Sequence, residues 1–132
     1  MYDKYLITGA TGFLGRAVVE ELVHHDAQVR ALVLHNDPYI NLLPKEVHTI
    51  VGDVCDKNSL ADFFADADSR TCVIHCAGIV SVASRPGPKL YQVNVGGTWR
   101  ILRQCLAHDV GRFIYVSSVH AIPEKPEGCV IT

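Results

Sequence analysis

Short runs of apolar residues alternate along the chain with segments whose apolar residues recur at helical spacing. The apolar runs predict five strands, at residues 5–8, 29–34, 47–51, 71–76 and 112–117. The helical patterns predict helices at residues 13–24, 58–65 and 90–107, and the segment 35–46 is predicted to be a loop or a broken helix. This alternation predicts a parallel sheet covered by helices on both faces, which is a doubly wound α/β fold.

The composition is typical of one globular domain with a single core. The 132 residues are 48% hydrophobic and 20% charged, and 12 Lys and Arg against 14 Asp and Glu give a net charge of -2. This balance argues against a nucleic-acid partner, and no apolar run approaches the ~20 residues that cross a bilayer. Because the first residues do not resemble a signal peptide, we expect a cytoplasmic protein. The five cysteines are scattered without a Cys-x-x-Cys pair, so we expect neither a disulfide framework nor a metal site.

The strongest motif is a glycine-rich loop that follows the first predicted strand and opens the first predicted helix. Gly9 suits a tight turn, Gly12 lets a pyrophosphate approach the backbone, and Gly15 lets the helix pack against the strand. The helix N-terminus offers free N–H groups to phosphates. An ordinary strand-to-helix turn is the alternative, which the position of the motif disfavours. The predicted dinucleotide contacts in this loop are Gly9, Thr11, Gly12, Phe13, Leu14 and Gly15.

The order of several short motifs resembles the extended branch of the short-chain dehydrogenase/reductase superfamily. The matching segments are Thr-Gly-Ala-Thr-Gly-Phe-Leu-Gly at 8–15, Gly-Asp-Val at 52–54, His-Cys-Ala-Gly at 75–78, Asn-Val-Gly-Gly-Thr at 94–98 and Val-Ser-Ser at 116–118. The resemblance implies a Rossmann-type doubly wound parallel sheet, truncated after the fifth strand. It also implies that residues 1–132 form one NAD(P)-binding domain.

The resemblance assigns roles to residues at the ends of two further strands. Asp53, followed by Val54, would accept a hydrogen bond from the adenine amino group, although Asp53 could instead cap the next helix. Ala77 and Gly78 would let the ribose and nicotinamide lie against the backbone, the alternative for Gly78 being a plain turn.

Three further polar residues lie near the same edge of the sheet. Asn94 falls on the apolar stripe of the long predicted helix, so its amide must be paired. The resemblance gives Asn94 a role in positioning the active site, and a purely structural bond is the equal alternative. Ser118 is implied to be the catalytic hydroxyl that bonds the reacting oxygen, with a bond to loop backbone as the alternative. For His75 we expect a hydrogen bond at the edge of the core rather than catalysis.

The resemblance also implies a catalytic Tyr-x-x-x-Lys pair, which none of the five tyrosines forms. We therefore expect an N-terminal, dinucleotide-binding portion of a longer enzyme, without the later strands and the substrate-binding segment, and inactive alone. The parent reaction would be hydride transfer to or from a carbonyl or alcohol carbon of a small-molecule substrate, in a reductase, dehydrogenase, epimerase or dehydratase. A non-catalytic NAD(P)-sensing or interaction module on the same fold is the alternative. Because extended members pair their long helices, we also expect a homo-oligomer.

The choice between NAD and NADP depends on the end of the second predicted strand. An acidic residue there is typical of NAD sites and an arginine of NADP sites, and Leu34 is neither. Asn36 or Asp37 could still reach a ribose. Both cofactors stay open, with a slight preference for NADP because the strand tip carries no acid.

Overall fold

The fold is built on one parallel sheet. The computed structural model describes residues 2–79 and 87–117. The strands are β1 (Lys4–Thr8), β2 (Gln28–Val33), β3 (His48–Val51), β4 (Thr71–His75) and β5 (Arg112–Tyr115). They lie in the order β3-β2-β1-β4-β5, and every neighbouring pair is parallel. This order confirms the predicted doubly wound, Rossmann-type fold.

Helices connect the strands. They are α1 (Phe13–His24), α2 (Pro88–Tyr91) and α3 (Thr98–Ala107), with a π-helix (Gln92–Gly97) between the last two and 3₁₀ turns at Ile40–Leu42 and Lys57–Leu60. Within the ranges 2–79 and 87–117, none of these helices has the length and apolar character needed to cross a membrane.

Successive residues of the central strands point to opposite faces, which creates two hydrophobic cores. Leu6 and Val73 pack on one face against Phe63 and Ile101, and all four are fully buried. Ile7 packs on the other face against Val19 of α1 and other apolar residues. Burial of both faces explains why the strands read as continuous apolar runs in the sequence.

Two predicted helices differ from the structure. The segment predicted as a helix at 58–65 begins with the 3₁₀ turn Lys57–Leu60 and continues as non-helical turns. Phe63 and Phe64 are adjacent in sequence and both fully buried, in edge-to-face contact with ring centroids 5.2 Å apart. A regular helix would turn one of two adjacent rings away from the core by roughly 100°. The segment predicted as one helix at 90–107 begins at Pro88 and contains the π-helix.

Candidate functional site

A cavity of about 320 Å³ opens at the carboxyl ends of β1 to β4. This is where doubly wound sheets bind ligands, because the chain leaves β1 and β4 in opposite directions across the sheet. The volume is within the range of small-molecule sites, roughly 300–1,000 Å³. The cavity is lined by Thr8, Gly9, Thr11, Gly12, Leu32, Leu34, Asp37, Gly52, Asp53, Val54, Cys76, Ala77, Gly78, Ile79, Lys89 and Val93.

The glycine loop forms one wall of this cavity. Gly9 has a φ of +67°, and a Cβ there would lie 2.6 Å from the backbone nitrogen of Ala77. The N–H of Gly12 donates to the carbonyl of Gly9 at 3.1 Å, which closes the turn. A Cβ on Gly15 would lie 1.9 Å from the same carbonyl oxygen. The structure therefore requires glycine at positions 9 and 15 for backbone reasons alone.

Helix α1 begins directly against the cavity. Its N-cap is Gly12, and no side chain of the described residues caps it. The first backbone N–H groups of the helix therefore have no side-chain acceptor there, which leaves an anion-binding helix start. The predicted contacts Phe13 and Leu14 are 92% and 49% exposed, and neither they nor Gly15 line the cavity. What these three positions can offer a ligand is their backbone N–H groups.

A carboxylate lies beside the glycine loop, at the cavity end next to β2. The Thr11 hydroxyl donates to Oδ2 of Asp37 at 2.7 Å, and the backbone N–H of Tyr39 donates to Oδ1 at 2.9 Å. A turn after β2 brings Asp37 back, since its N–H donates to the carbonyl of Leu34 at 3.2 Å and Asn36 has a φ of +61°. The cavity end beside Leu34 therefore carries a negative charge fixed in place by two hydrogen bonds.

The predicted adenine contact lies at the end of β3. Asp53 and Val54 both line the cavity. Oδ1 of Asp53 accepts a hydrogen bond from the N–H of Cys55 at 2.8 Å, so the carboxylate orders its own turn. It does not cap the following 3₁₀ turn, because Asp56 does so by accepting from the N–H of Asn58.

The segment after β4 forms another wall. Ala77 and Gly78 line the cavity as predicted. Asn94, on the π-helix, lies behind this segment and does not line the cavity. Its amide accepts from the N–H of Ile79 at 2.7 Å and donates to the carbonyl of Ile79 at 2.9 Å. Because Asn94 pairs with both backbone groups of one residue, it holds the segment against the helix.

Lys89, on α2, also lines the cavity and was not among the predicted contacts. Nothing in the local sequence distinguishes it from a solvated lysine, since only the tertiary fold brings α2 to the ends of β1 to β4. The predicted catalytic Ser118 lies outside the described residues.

Cys76 lines the cavity, whereas Cys72 and Cys105 are buried in the two hydrophobic cores. Burial raises the pKa of Cys72 and Cys76 and raises that of Cys105 to about 12. Protonated thiols are poor nucleophiles and poor metal ligands at neutral pH. Among the described residues, no cluster of three or more His, Cys, Asp or Glu could hold a metal ion.

Comparison with known sequences identifies relatives along almost the whole chain. The model of the 3-beta hydroxysteroid dehydrogenase/isomerase family matches residues 6–131. Human 3 beta-hydroxysteroid dehydrogenase type 7 is 34% identical over 131 residues, which cover 94% of this chain and 35% of that protein. A putative dihydroflavonol 4-reductase from Synechocystis is 34% identical over 128 residues, which cover 97% of this chain and 36% of that protein.

Solved structures of dinucleotide-binding proteins have the same fold as this chain. UDP-glucose 4-epimerase from Thermus thermophilus, in complex with NAD, aligns with a TM-score of 0.82 and 27% identity over 98% of this chain and 42% of that one. A short-chain dehydrogenase/reductase superfamily protein from Agrobacterium tumefaciens, with bound NAD, aligns with a TM-score of 0.75 and 31% identity over 94% of this chain and 35% of that one. The chain spans about a third of the length of the curated relatives that it matches.

These matches confirm the resemblance to the extended short-chain dehydrogenases/reductases, whose N-terminal dinucleotide-binding region corresponds to this chain. The chain belongs to the 3-beta hydroxysteroid dehydrogenase/isomerase family.

Proposed function

We propose that residues 1–132 form the NAD(P)-binding domain of an oxidoreductase that transfers hydride between a nicotinamide and an alcohol or carbonyl carbon. The observation that carries this proposal is the glycine loop, which forms a wall of the cavity and leads into an α1 start without a side-chain cap. The pyrophosphate would lie against the N–H groups of this helix start. Asp53 and Val54 would hold the adenine end, and Ala77 and Gly78 the nicotinamide end.

The bound dinucleotide would supply the hydride acceptor or donor. In the oxidation direction, a nicotinamide held against Ala77 and Gly78 would accept a hydride from the alcohol carbon, and the hydroxyl proton would pass to a base. We propose that the Ser118 hydroxyl bonds the reacting oxygen. Because the family match is to hydroxysteroid dehydrogenases, a 3β-hydroxysteroid is the first substrate to assay. Turnover by the isolated 132-residue chain would contradict the proposal that catalysis needs further residues.

For the cofactor, two observations favour opposite choices. The absence of an acid at the tip of β2 favours NADP, whereas the Asp37 carboxylate at the same end of the cavity favours NAD. A fixed carboxylate repels a ribose 2′-phosphate and can accept a hydrogen bond from a ribose hydroxyl. We give more weight to Asp37, because its position is set by two hydrogen bonds, and we propose NAD.

The test is calorimetric titration of the intact protein with NAD, NADP and their reduced forms. We expect NAD and NADH to bind more tightly than NADP and NADPH. Tighter binding of the phosphorylated pair would contradict the choice of NAD. If none of the four dinucleotides binds, the proposed function and an NAD(P)-sensing module are both contradicted, and of the alternatives only a non-catalytic interaction module on the same fold is left.

We further propose a homo-oligomer that pairs through the outer face of the helix at 88–107. Tyr91, Val95, Trp99 and Leu106 are 68%, 50%, 60% and 78% exposed on this segment. Exposed apolar patches of this kind are typical of association surfaces. Size-exclusion chromatography with light scattering tests this, and a monomer at micromolar concentration would contradict it. The cytoplasmic location stays a prediction from the sequence, to be checked by fractionation.

A further inference from the structure

His75, the last residue of β4, is a buried histidine between two threonine hydroxyls. Its side chain is 1% exposed. Nδ1 lies 2.6 Å from Oγ1 of Thr8, at the end of β1, and Nε2 lies 3.0 Å from Oγ1 of Thr98, at the start of α3. His75 thus connects the strand that enters the glycine loop to the helix that covers the sheet.

The neighbouring hydrogen bonds decide which ring nitrogen carries the proton. The Thr98 hydroxyl donates to the backbone carbonyl of Asn94 at 2.7 Å. A hydroxyl has one proton to donate, so Thr98 can only accept from His75, and Nε2 must carry the hydrogen. On the other side, Thr8 accepts from the N–H of Ala77 at 3.2 Å and is free to donate its own proton to Nδ1.

The result is one directed series of hydrogen bonds. It runs from the N–H of Ala77 through Thr8, His75 and Thr98 to the carbonyl of Asn94. Each hydroxyl donates once and accepts once, so reversal of any one bond would leave a buried group unpaired.

The surroundings of the ring favour its neutral form. In residues 2–79 and 87–117, its hydrogen-bond partners are the two threonine hydroxyls. Its ring lies against the side chains of Phe113 and Tyr115, with centroids 6.3 and 5.9 Å away. Burial lowers the pKa of His75 to about 4. A protonated ring would also place a hydrogen on Nδ1, where the Thr8 proton already points.

We propose that His75 is a positioning residue, held as the neutral Nε2–H tautomer, that fixes the cavity wall on which the dinucleotide lies. Thr8 and Ala77 line the cavity, and Asn94, at the other end of the series, holds Ile79, which also lines it. The series therefore ties three parts of the wall to one helix. This inference rests on the proposed dinucleotide site for its functional consequence. The tautomer itself follows from the hydrogen bonds alone.

The first measurement tests the tautomer on the unaltered protein. The intact protein is labelled with ¹⁵N-histidine, and the His75 resonances, assigned with a His75→Gln variant, are followed without cofactor from about pH 5.5 to 8. We expect an unprotonated Nδ1 and a protonated Nε2 throughout this range. An Nδ1–H tautomer, or a ring that titrates near the ordinary histidine value, would overturn the proposal.

The second measurement compares Thr98→Val with Thr98→Ser. Valine removes the acceptor for Nε2–H at nearly constant shape, and serine keeps the hydroxyl. We expect about tenfold weaker NAD binding for Thr98→Val, which corresponds to about 1.4 kcal/mol, because valine removes both the bond from His75 Nε2–H and the bond to the Asn94 carbonyl. Calorimetric titration should show this loss as a higher Kd for NAD. Thr98→Ser should restore both the NAD affinity and the His75 resonances.

The outcomes separate this inference from the proposed function. If the unaltered protein binds no dinucleotide, the proposed function fails, and with it the cofactor role of His75, whatever the resonances show. If the protein binds NAD and Thr98→Val binds it equally well, His75 is only a core histidine, and the positioning role is refuted. If Thr98→Val does not fold, Thr98→Ser and the resonances of the unaltered protein still decide the tautomer.

Discussion

The glycine loop allows cofactor binding and folding to be separated by two matched substitutions. Gly12→Ala and Gly15→Ala each add one methyl group to the same loop. Gly12 has φ -73° and ψ 172°, which any residue adopts, and its Cβ would meet one atom, the Gly9 carbonyl oxygen, at 3.3 Å. The Cβ of Gly15 would lie 1.9 Å from that oxygen and 2.7 Å from the Gly9 carbonyl carbon.

These distances predict different energies. For Gly12→Ala, the loss of unfolded-state entropy stabilises the fold by about 0.4–1 kcal/mol, which offsets the tight contact, so stability changes by less than about 1 kcal/mol. Gly12 lines the cavity, however, and a methyl group there keeps a phosphate from the backbone. The loss of one or two charge-assisted hydrogen bonds should weaken NAD binding about 10- to 100-fold.

Gly15→Ala should mainly affect folding. Two backbone segments would have to separate, because neither contacting atom belongs to a flexible side chain. Overpacking of this kind costs about 3 kcal/mol or more, and alanine returns about 1 kcal/mol of helix propensity. The net loss of stability should be about 2 kcal/mol or more.

The assays are urea unfolding followed by circular dichroism, and calorimetric titration with NAD, both on the intact protein. Gly87→Ala is the control, since a Cβ there meets nothing within 4 Å among the described residues, so stability should rise by at most about 1 kcal/mol and NAD binding should not change by a measurable amount. A folded Gly12→Ala variant with unaltered NAD affinity would refute the placement of the pyrophosphate. A Gly15→Ala variant as stable as the unaltered protein would refute the packing argument.

Three further predictions concern charged and titratable side chains. Asp37→Asn keeps a partner for Thr11 but removes the charge, so the ratio of NADP to NAD affinity should rise about tenfold in calorimetry, and an unchanged ratio would show that Asp37 does not select the cofactor. Because burial lowers the pKa of His75 from 6.5 to about 4, the unfolded chain binds more protons than the folded chain between these pH values. The contribution of the neutral ring to the free energy of unfolding is therefore fully present above about pH 6.5. The free energy of unfolding should fall by about 2 kcal/mol between pH 7.5 and pH 5. Urea unfolding at both pH values tests this, and a His75→Gln variant with the same pH dependence would contradict it. Arg30 donates to two backbone carbonyls at 2.9 and 2.6 Å, so Arg30→Met should lower the free energy of unfolding by about 1–3 kcal/mol, whereas a loss no larger than that of an Arg103→Met surface control would count against these bonds.

The sheet could be predicted from the sequence because strands that are buried on both faces leave continuous apolar runs, and these runs alternate along the chain with helical patterns. The predicted helix at 13–24 coincides with α1, and the predicted strand at 71–76 ends one residue beyond β4. Both faces of β4 are covered, and all five of its residues are buried, so its apolar run is unambiguous. The glycine loop could be recognised for a similar reason, since Gly9 and Gly15 make backbone contacts that no other residue permits.

The irregular segments were harder to predict because their geometry depends on distant partners. Ser59 donates to the carbonyl of Asp53 at 3.0 Å and lies within 2.8 Å of the carbonyl of Asp56, so its hydroxyl favours a turn over the predicted helix. Asp37 could only be proposed as one residue that could reach a ribose. Its position depends on the φ of +61° at Asn36, and local sequence does not determine whether a residue adopts that conformation.

The candidate site therefore contains two kinds of residue, whose substitutions should have different consequences. The glycines leave space for a close approach of other atoms, and an added methyl group fills that space. A substitution there should therefore remove a cofactor contact, as at Gly12, or destabilise the fold, as at Gly15. Thr8, Thr98 and Asn94, which are joined to His75 in one series of hydrogen bonds, instead hold the cavity wall in position. These bonds can be removed one at a time. If His75 positions the cavity wall, substitutions along this series should weaken NAD binding in steps while the protein stays folded. If His75 is only a core residue, these substitutions should leave the NAD affinity unchanged.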